Sequence, residues 1–156
     1  MSKLKDEVDL LRTIPMFAKV DPTKLKLLAF ASDRVSYKAG QAIFMQDDPA
    51  DAAYVIIEGT ADVIVATADG GESKVAELGR NAFLGDMAIL CDIPRTATVR
   101  ANTNLEALKI RKEHMMEMVI KSPSLTMAVL QTLVNRLAKT TQDLSEARQE
   151  LSKLSA

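Results

Sequence analysis

Residues 83–99 read FLGDMAILCDIPRTATV, and this stretch decides the fold. A glycine is followed by a short apolar segment of helical character, a proline, an arginine and a β-prone Thr-Ala-Thr-Val. Gly85 has no side chain, so the backbone there can come close to a ligand. The planar guanidinium of Arg95 can bind two oxygens of one anion. The stretch therefore predicts a cradle for a phosphate-like anion.

The start of the short helix supplies further donors and an acceptor. The backbone N–H groups of Met87, Ala88 and Ile89 are expected to be free at the beginning of the helix, where its dipole favours a phosphate. Asp86 stands at the helix entrance. Its carboxylate can cap the helix or accept hydrogen bonds from the hydroxyls of a sugar.

This stretch resembles the phosphate-binding cassette of cyclic-nucleotide-binding domains, the family of the catabolite activator protein and of kinase regulatory subunits. The family pattern runs Phe-Gly-Glu-hydrophobic-Ala-Leu and later Pro-Arg-Ser/Thr/Ala-Ala-Thr-Val. Asp86 departs from it, since the usual acid is a glutamate that binds the ribose 2′-hydroxyl. The resemblance implies that the ligand, cAMP or cGMP, is bound by the cassette residues Gly85, Asp86, Met87, Ala88, Arg95, Thr96 and Ala97.

Composition limits the other possibilities. The 156 residues are 47% hydrophobic and 26% charged, as in one globular domain. With 20 basic and 21 acidic residues there is no excess positive charge for nucleic acid or an anionic membrane. Cys91 is the single cysteine, and the charged N-terminus has no signal peptide or transmembrane pattern. We predict a soluble cytoplasmic protein.

The pattern predicts one α+β domain over residues 1–156, with helices in 1–33, a β-region in 34–110 and helices again in 111–156. Short β-rich runs separated by glycine and aspartate turns are typical of an antiparallel β-roll or jelly roll. The predicted strands are Arg34–Tyr37, Ala42–Met45, Tyr54–Glu58, Ala61–Ala66, Lys74–Leu78, Thr96–Arg100 and Asn104–Ile110.

A long helix is predicted after Ser122-Pro123, because neither glycine nor proline occurs from Ser124 to the end. Leucine recurs every seven residues from Leu130, and we predict a coiled-coil seam from about residue 125. The seam combines Leu130, Leu137, Leu144 and Leu151 with Leu133, Thr140, Ala147 and Leu154. The alternative is a helix that lies on its own β-domain. The helix is long enough to overshoot that domain, which favours a parallel homodimer, and the resemblance to bacterial regulators implies the same.

The base of the nucleotide has three candidate contacts. Arg136-Leu137 followed by Thr140-Thr141 resembles the part of the catabolite activator protein that touches the base. The resemblance implies that Thr140 and Thr141 bond to the purine of a partner subunit's ligand; alternatively, they set the dimer register. A threonine after the cassette arginine, here Thr96, accompanies a preference for the guanine nucleotide in the family, although many bacterial members bind cAMP.

Catalysis is not expected. The chain has one histidine, His114, so neither a cupin-type histidine cluster nor a catalytic triad can be assembled. No cofactor is predicted. The resemblance implies a sensor module that lacks an output domain and acts through a protein partner or as part of a longer protein. The alternative is an interaction protein of the same fold that has lost the nucleotide.

Overall fold

The computed structural model describes the backbone of residues 2–155 and the side chains of residues 3–154. Two helices open the chain, α1 (Ser2–Arg12) and α2 (Pro22–Ala31), with a 3₁₀ turn at Pro15–Phe17 between them. As the sequence predicts, α2 begins with an N-cap and a proline, because the Asp21 carboxylate accepts the Thr23 N–H at 2.9 Å.

Eight strands in the described residues form two four-stranded antiparallel sheets, with orders β1-β8-β3-β6 and β2-β7-β4-β5. The predicted α+β jelly-roll class is confirmed. The strands are β1 (Asp33–Tyr37), β2 (Ala42–Phe44), β3 (Ala52–Glu58), β4 (Ala61–Ala66), β5 (Glu72–Leu78), β6 (Phe83–Leu84), β7 (Thr98–Ala101) and β8 (Leu105–Arg111). The sequence did not predict β6, which has only two residues.

The central strand β3 separates two hydrophobic cores. Successive side chains of a strand point to opposite faces. Ala53 and Val55 face the core shared with the helices, whereas Ala52, Tyr54 and Ile56 face the core between the two sheets. Both faces are buried, which explains why this strand reads as a continuous apolar run. One sheet is thus covered by helices, and the other closes the roll.

Two helices follow the roll, α4 (Lys112–Lys121) and α5 (Pro123–Ser155), after the short α3 of the cassette (Asp86–Cys91). The Ser122 hydroxyl accepts the Leu125 N–H at 3.3 Å and caps α5. Leu125 and Val129 pack in the helix-side core, but every described side chain from 137 to 154 is exposed. No helix in residues 2–155 has an apolar stretch long enough to cross a membrane.

The second set of predicted seam positions differs in exposure. Leu133 is partly buried against the helix-side core of its own domain, whereas Leu154 is 82% exposed. The seam itself stays a prediction. From Met127 to Leu137 the exposed large side chains fall at alternating steps of three and four residues, the heptad spacing. The exposed large apolar side chains of α5 are Met127, Leu130, Val134, Leu137, Leu144, Leu151 and Leu154. The alternative of a helix lying on its own domain holds only for the first part of α5.

Candidate functional site

The cassette is held in place by pairing with the central strand. In β6, Phe83 and Leu84 pair with Val55 and Tyr54 of β3. Gly85 then turns the chain in the left-handed conformation, with φ of 80°, and α3 begins at Asp86. The short apolar segment is therefore helical, as the sequence predicts, and its first turn opens onto the roll.

Gly85 also leaves room for the cassette arginine. A Cβ at this position would lie 2.6 Å from Arg95 Nη1 and 3.2 Å from Cε2 of Phe44. Both the positive φ and this close approach require glycine.

Arg95 is a buried cation, with 2% of its surface exposed. Its Nη1 donates to the Gly85 carbonyl at 3.0 Å and its Nη2 to the Ala52 carbonyl at 2.6 Å. The guanidinium carbon lies 4.0 Å from the centre of the Phe44 ring, and the nearest carboxylate oxygen, on Asp51, is 3.6 Å from Nη2. Burial lowers the pKa of Arg95 below its ordinary value. Among the described residues its Nε has no hydrogen-bond partner, so a donor is left over at this site.

Asp86 is paired with an arginine of the long helix. Arg136 Nη2 lies 3.0 Å from Oδ2 and Arg136 Nη1 lies 3.4 Å from Oδ1 of Asp86. The carboxylate is almost buried, whereas 41% of the Arg136 side chain is exposed. In the sequence, Arg136 stands out only as part of the Arg-Leu-x-x-Thr pattern. That pattern was the one signal that could have placed Arg136 at the site.

These groups surround a cleft of about 290 Å³. Val63, Leu78 and Val99, from strands β4, β5 and β7, supply an apolar wall opposite the charged groups. The cleft brings together the seven cassette residues predicted from the sequence: Gly85, Asp86, Met87, Ala88, Arg95, Thr96 and Ala97.

Thr140 and Thr141 do not line this cleft. They lie about one turn beyond Arg136, on the exposed part of α5. That they contact the base of a partner subunit's ligand therefore stays a prediction.

The arrangement favours binding over chemistry. Two guanidiniums, one carboxylate and an apolar wall suit a small anion that carries hydroxyls and an apolar part. His114 lies elsewhere, in a groove between α2 and α4. No group of three histidine, cysteine or acidic side chains is arranged for a metal ion in the described residues.

Known proteins carry the same sequence pattern. Residues 34–122 match the family model of the cyclic nucleotide-binding domain. A cAMP-dependent protein kinase regulatory subunit from Emericella nidulans is 31% identical over 103 residues, which make up 66% of this chain and 24% of the relative. The chain thus spans about a quarter of the length of the kinase regulatory subunits that it matches.

Solved structures show the same fold. The sensor domain of a transcriptional regulator from Pseudomonas aeruginosa superposes with a TM-score of 0.82 at 23% identity, covering 91% of this chain and 95% of that one. The catabolite activator protein of Thermus thermophilus gives a TM-score of 0.76 at 25% identity, covering 85% and 62% of the two chains.

Proposed function

Because this chain belongs to the cyclic nucleotide-binding domain family, we propose that it is a sensor that binds cAMP or cGMP in the cleft beside α3. A sensor needs only a difference in ligand affinity between two conformations. The family is one of regulatory binding domains, and we assign the chain no catalytic role.

The observation that carries the proposal is Arg95. A buried guanidinium with an unpartnered Nε beside an open cleft is costly unless an anion joins it. The cyclic phosphate provides one negative charge and two free oxygens. The N–H groups at the start of α3 add donors on the other side of the phosphate.

The Asp86 carboxylate accepts a hydrogen bond from the ribose 2′-hydroxyl. A carboxylate has about four acceptor positions, so it can bind this hydroxyl and Arg136 together. The base lies toward the apolar wall and Thr96, which is exposed. In a homodimer joined along α5, Thr140 and Thr141 of the second subunit close over the base. The signal passes to a protein effector in the cytoplasm.

One observation favours a second candidate, an interaction protein of the same fold without a nucleotide. Both oxygens of Asp86 already bond to Arg136, and the shorter acid extends less far into the cleft than a glutamate would. In an interaction protein without a nucleotide, the Asp86–Arg136 ion pair would only stabilise the fold.

Titration calorimetry with cAMP and with cGMP tests the proposal, after unfolding and refolding to remove any nucleotide carried through purification. Arg95→Ala should weaken binding about thirty- to a thousandfold, which corresponds to roughly 2–4 kcal/mol. Since Arg95 also bonds two backbone carbonyls, its loss lowers stability without ligand, so affinity is the readout.

Arg100→Ala is the matched control, because this arginine of β7 pairs with Glu72 and does not line the cleft. It should leave the affinity unchanged. An Arg95→Ala affinity within threefold of the wild type would refute the cassette assignment. The absence of heat and of any thermal shift at millimolar nucleotide would favour the interaction protein.

A further inference from the structure

A second cleft, which we name the α2/α4 cleft, lies between the helices on the outside of the domain. Its volume is about 340 Å³. The ammonium of Lys24 donates to the Lys121 carbonyl at 3.3 Å. This contact joins the start of α2 to the end of α4. The buried side chains of Leu28 and Met118 form the floor.

The cleft has an exposed apolar side chain in its lining, and its two helices carry others outside it. Leu27, which lines the cleft, is 65% exposed. Phe30 of α2 is 81% exposed, and Ile120 of α4 is 78% exposed. Large exposed side chains grouped in this way mark interaction sites.

One end of the cleft is positively charged. No carboxylate lies within salt-bridge distance of Lys24 among the side chains of residues 3–154. α2 also carries Lys26 but no acidic residue. The only acidic side chain lining the cleft, Glu117, is neutralised by Lys121 at 2.8 Å. A carboxylate of a partner would therefore meet an uncompensated ammonium at Lys24.

We propose that the α2/α4 cleft binds an amphipathic helix of a partner protein. Residues 24–31 of α2 that line the cleft extend over about 10 Å, or two turns. Apolar side chains at positions i, i+4 and i+7 of a bound helix span the same length, as in other helix-in-groove complexes. The bound helix carries an acidic residue at the end that meets Lys24. A small ligand confined to the cleft would leave the exposed Phe30 of α2 and Ile120 of α4, which do not line it, uncovered.

The probe is a synthetic stapled helix with leucines at i, i+4 and i+7 and a glutamate at one end, titrated into the ¹⁵N-labelled full chain. We expect saturable NMR shifts confined to α2 and α4. The double variant Leu27→Ser with Phe30→Ser should weaken binding at least about tenfold. Val75→Ser, on the exposed strand β5, is the control and should change nothing. The changed side chains are all exposed, and the dispersion of the spectrum verifies folding.

A charge swap tests the orientation. Lys24→Glu should weaken binding of the glutamate peptide and strengthen binding of a lysine version. Equal binding of both peptides to the wild type would refute the charge match, and the absence of saturable shifts at millimolar peptide would refute the site.

A lower sedimentation coefficient of the Leu27/Phe30 double variant would mean that a second copy covers this face. Co-sedimentation of the wild type with anionic phosphatidylglycerol vesicles, lost in the same variant, would mean a membrane contact. Either result would overturn the peptide site.

Discussion

Removing Arg136 should release the long helix from the cassette. In Arg136→Ala the Asp86 carboxylate, only 5% exposed, loses the cation that bonds both of its oxygens. Hydrogen bonds to a charged group contribute about 1.5–3 kcal/mol. Because Arg136 is 41% exposed, solvent and salt reduce this value. We expect a loss of about 1–2 kcal/mol, which for a chain of this size lowers the melting temperature by about 2–8 °C.

A double-mutant cycle isolates the pair. Asp86→Asn removes the negative charge of the pair and should lower the free energy of unfolding by a similar amount. The double variant should lose less than the sum of the single losses, with a coupling energy of about 1 kcal/mol. The measurement is urea unfolding without nucleotide, repeated at low and high salt, since screening should reduce the coupling.

Arg148→Ala is the control, because Arg148 is an exposed arginine of the same helix that does not line the cleft. It should change stability by less than about 0.5 kcal/mol. A coupling energy below about 0.5 kcal/mol, or an equal loss in Arg148→Ala, would refute the reasoning that the ion pair holds α5 to the cassette.

Two further predictions concern the seam and the glycine of the cassette. Leu137→Asp combined with Leu144→Asp should give a monomer in sedimentation, because charges would lie on the apolar seam of α5. The control Gln142→Asp, which is off the seam, should not change the sedimentation. A persistent dimer in the double variant would place the interface elsewhere. Gly85→Ala should displace Arg95 and strain the turn, lowering stability by about 1–3 kcal/mol in thermal unfolding. An unchanged melting temperature would show that the turn can relax.

Most of the fold could be predicted because its signals are local. Turn residues separate short β-prone runs, and the N-caps at Asp21 and Ser122 mark helix starts within a few residues. β6 was missed since Phe83 and Leu84 alone give no alternation. They form a strand only because β3 lies beside them, and this pairing depends on the tertiary structure.

The residues of the candidate site likewise differ in whether local sequence predicts them. The cassette residues are neighbours in the chain, so one motif predicts them together. Arg136 is 50 residues from Asp86, and its contact depends on how α5 crosses the roll. The leucine repeat of α5 has a related limit, because it does not reveal which face of the helix the domain itself covers. Leu133 faces the core, and Val134 faces outward.

In the proposed sensor, the position of Arg136 would connect the cleft with the long helix. Up to residue 133, apolar side chains of α5 pack on the domain, and from 137 to 154 all the described side chains are exposed. Arg136 lies just after this packed part of α5, and its partner Asp86 begins the cassette helix. A ligand that reorients Asp86 therefore acts where the fixed part of α5 meets its exposed part. A change in the direction of α5 at that point would be amplified along the roughly 27 Å of exposed helix that follows.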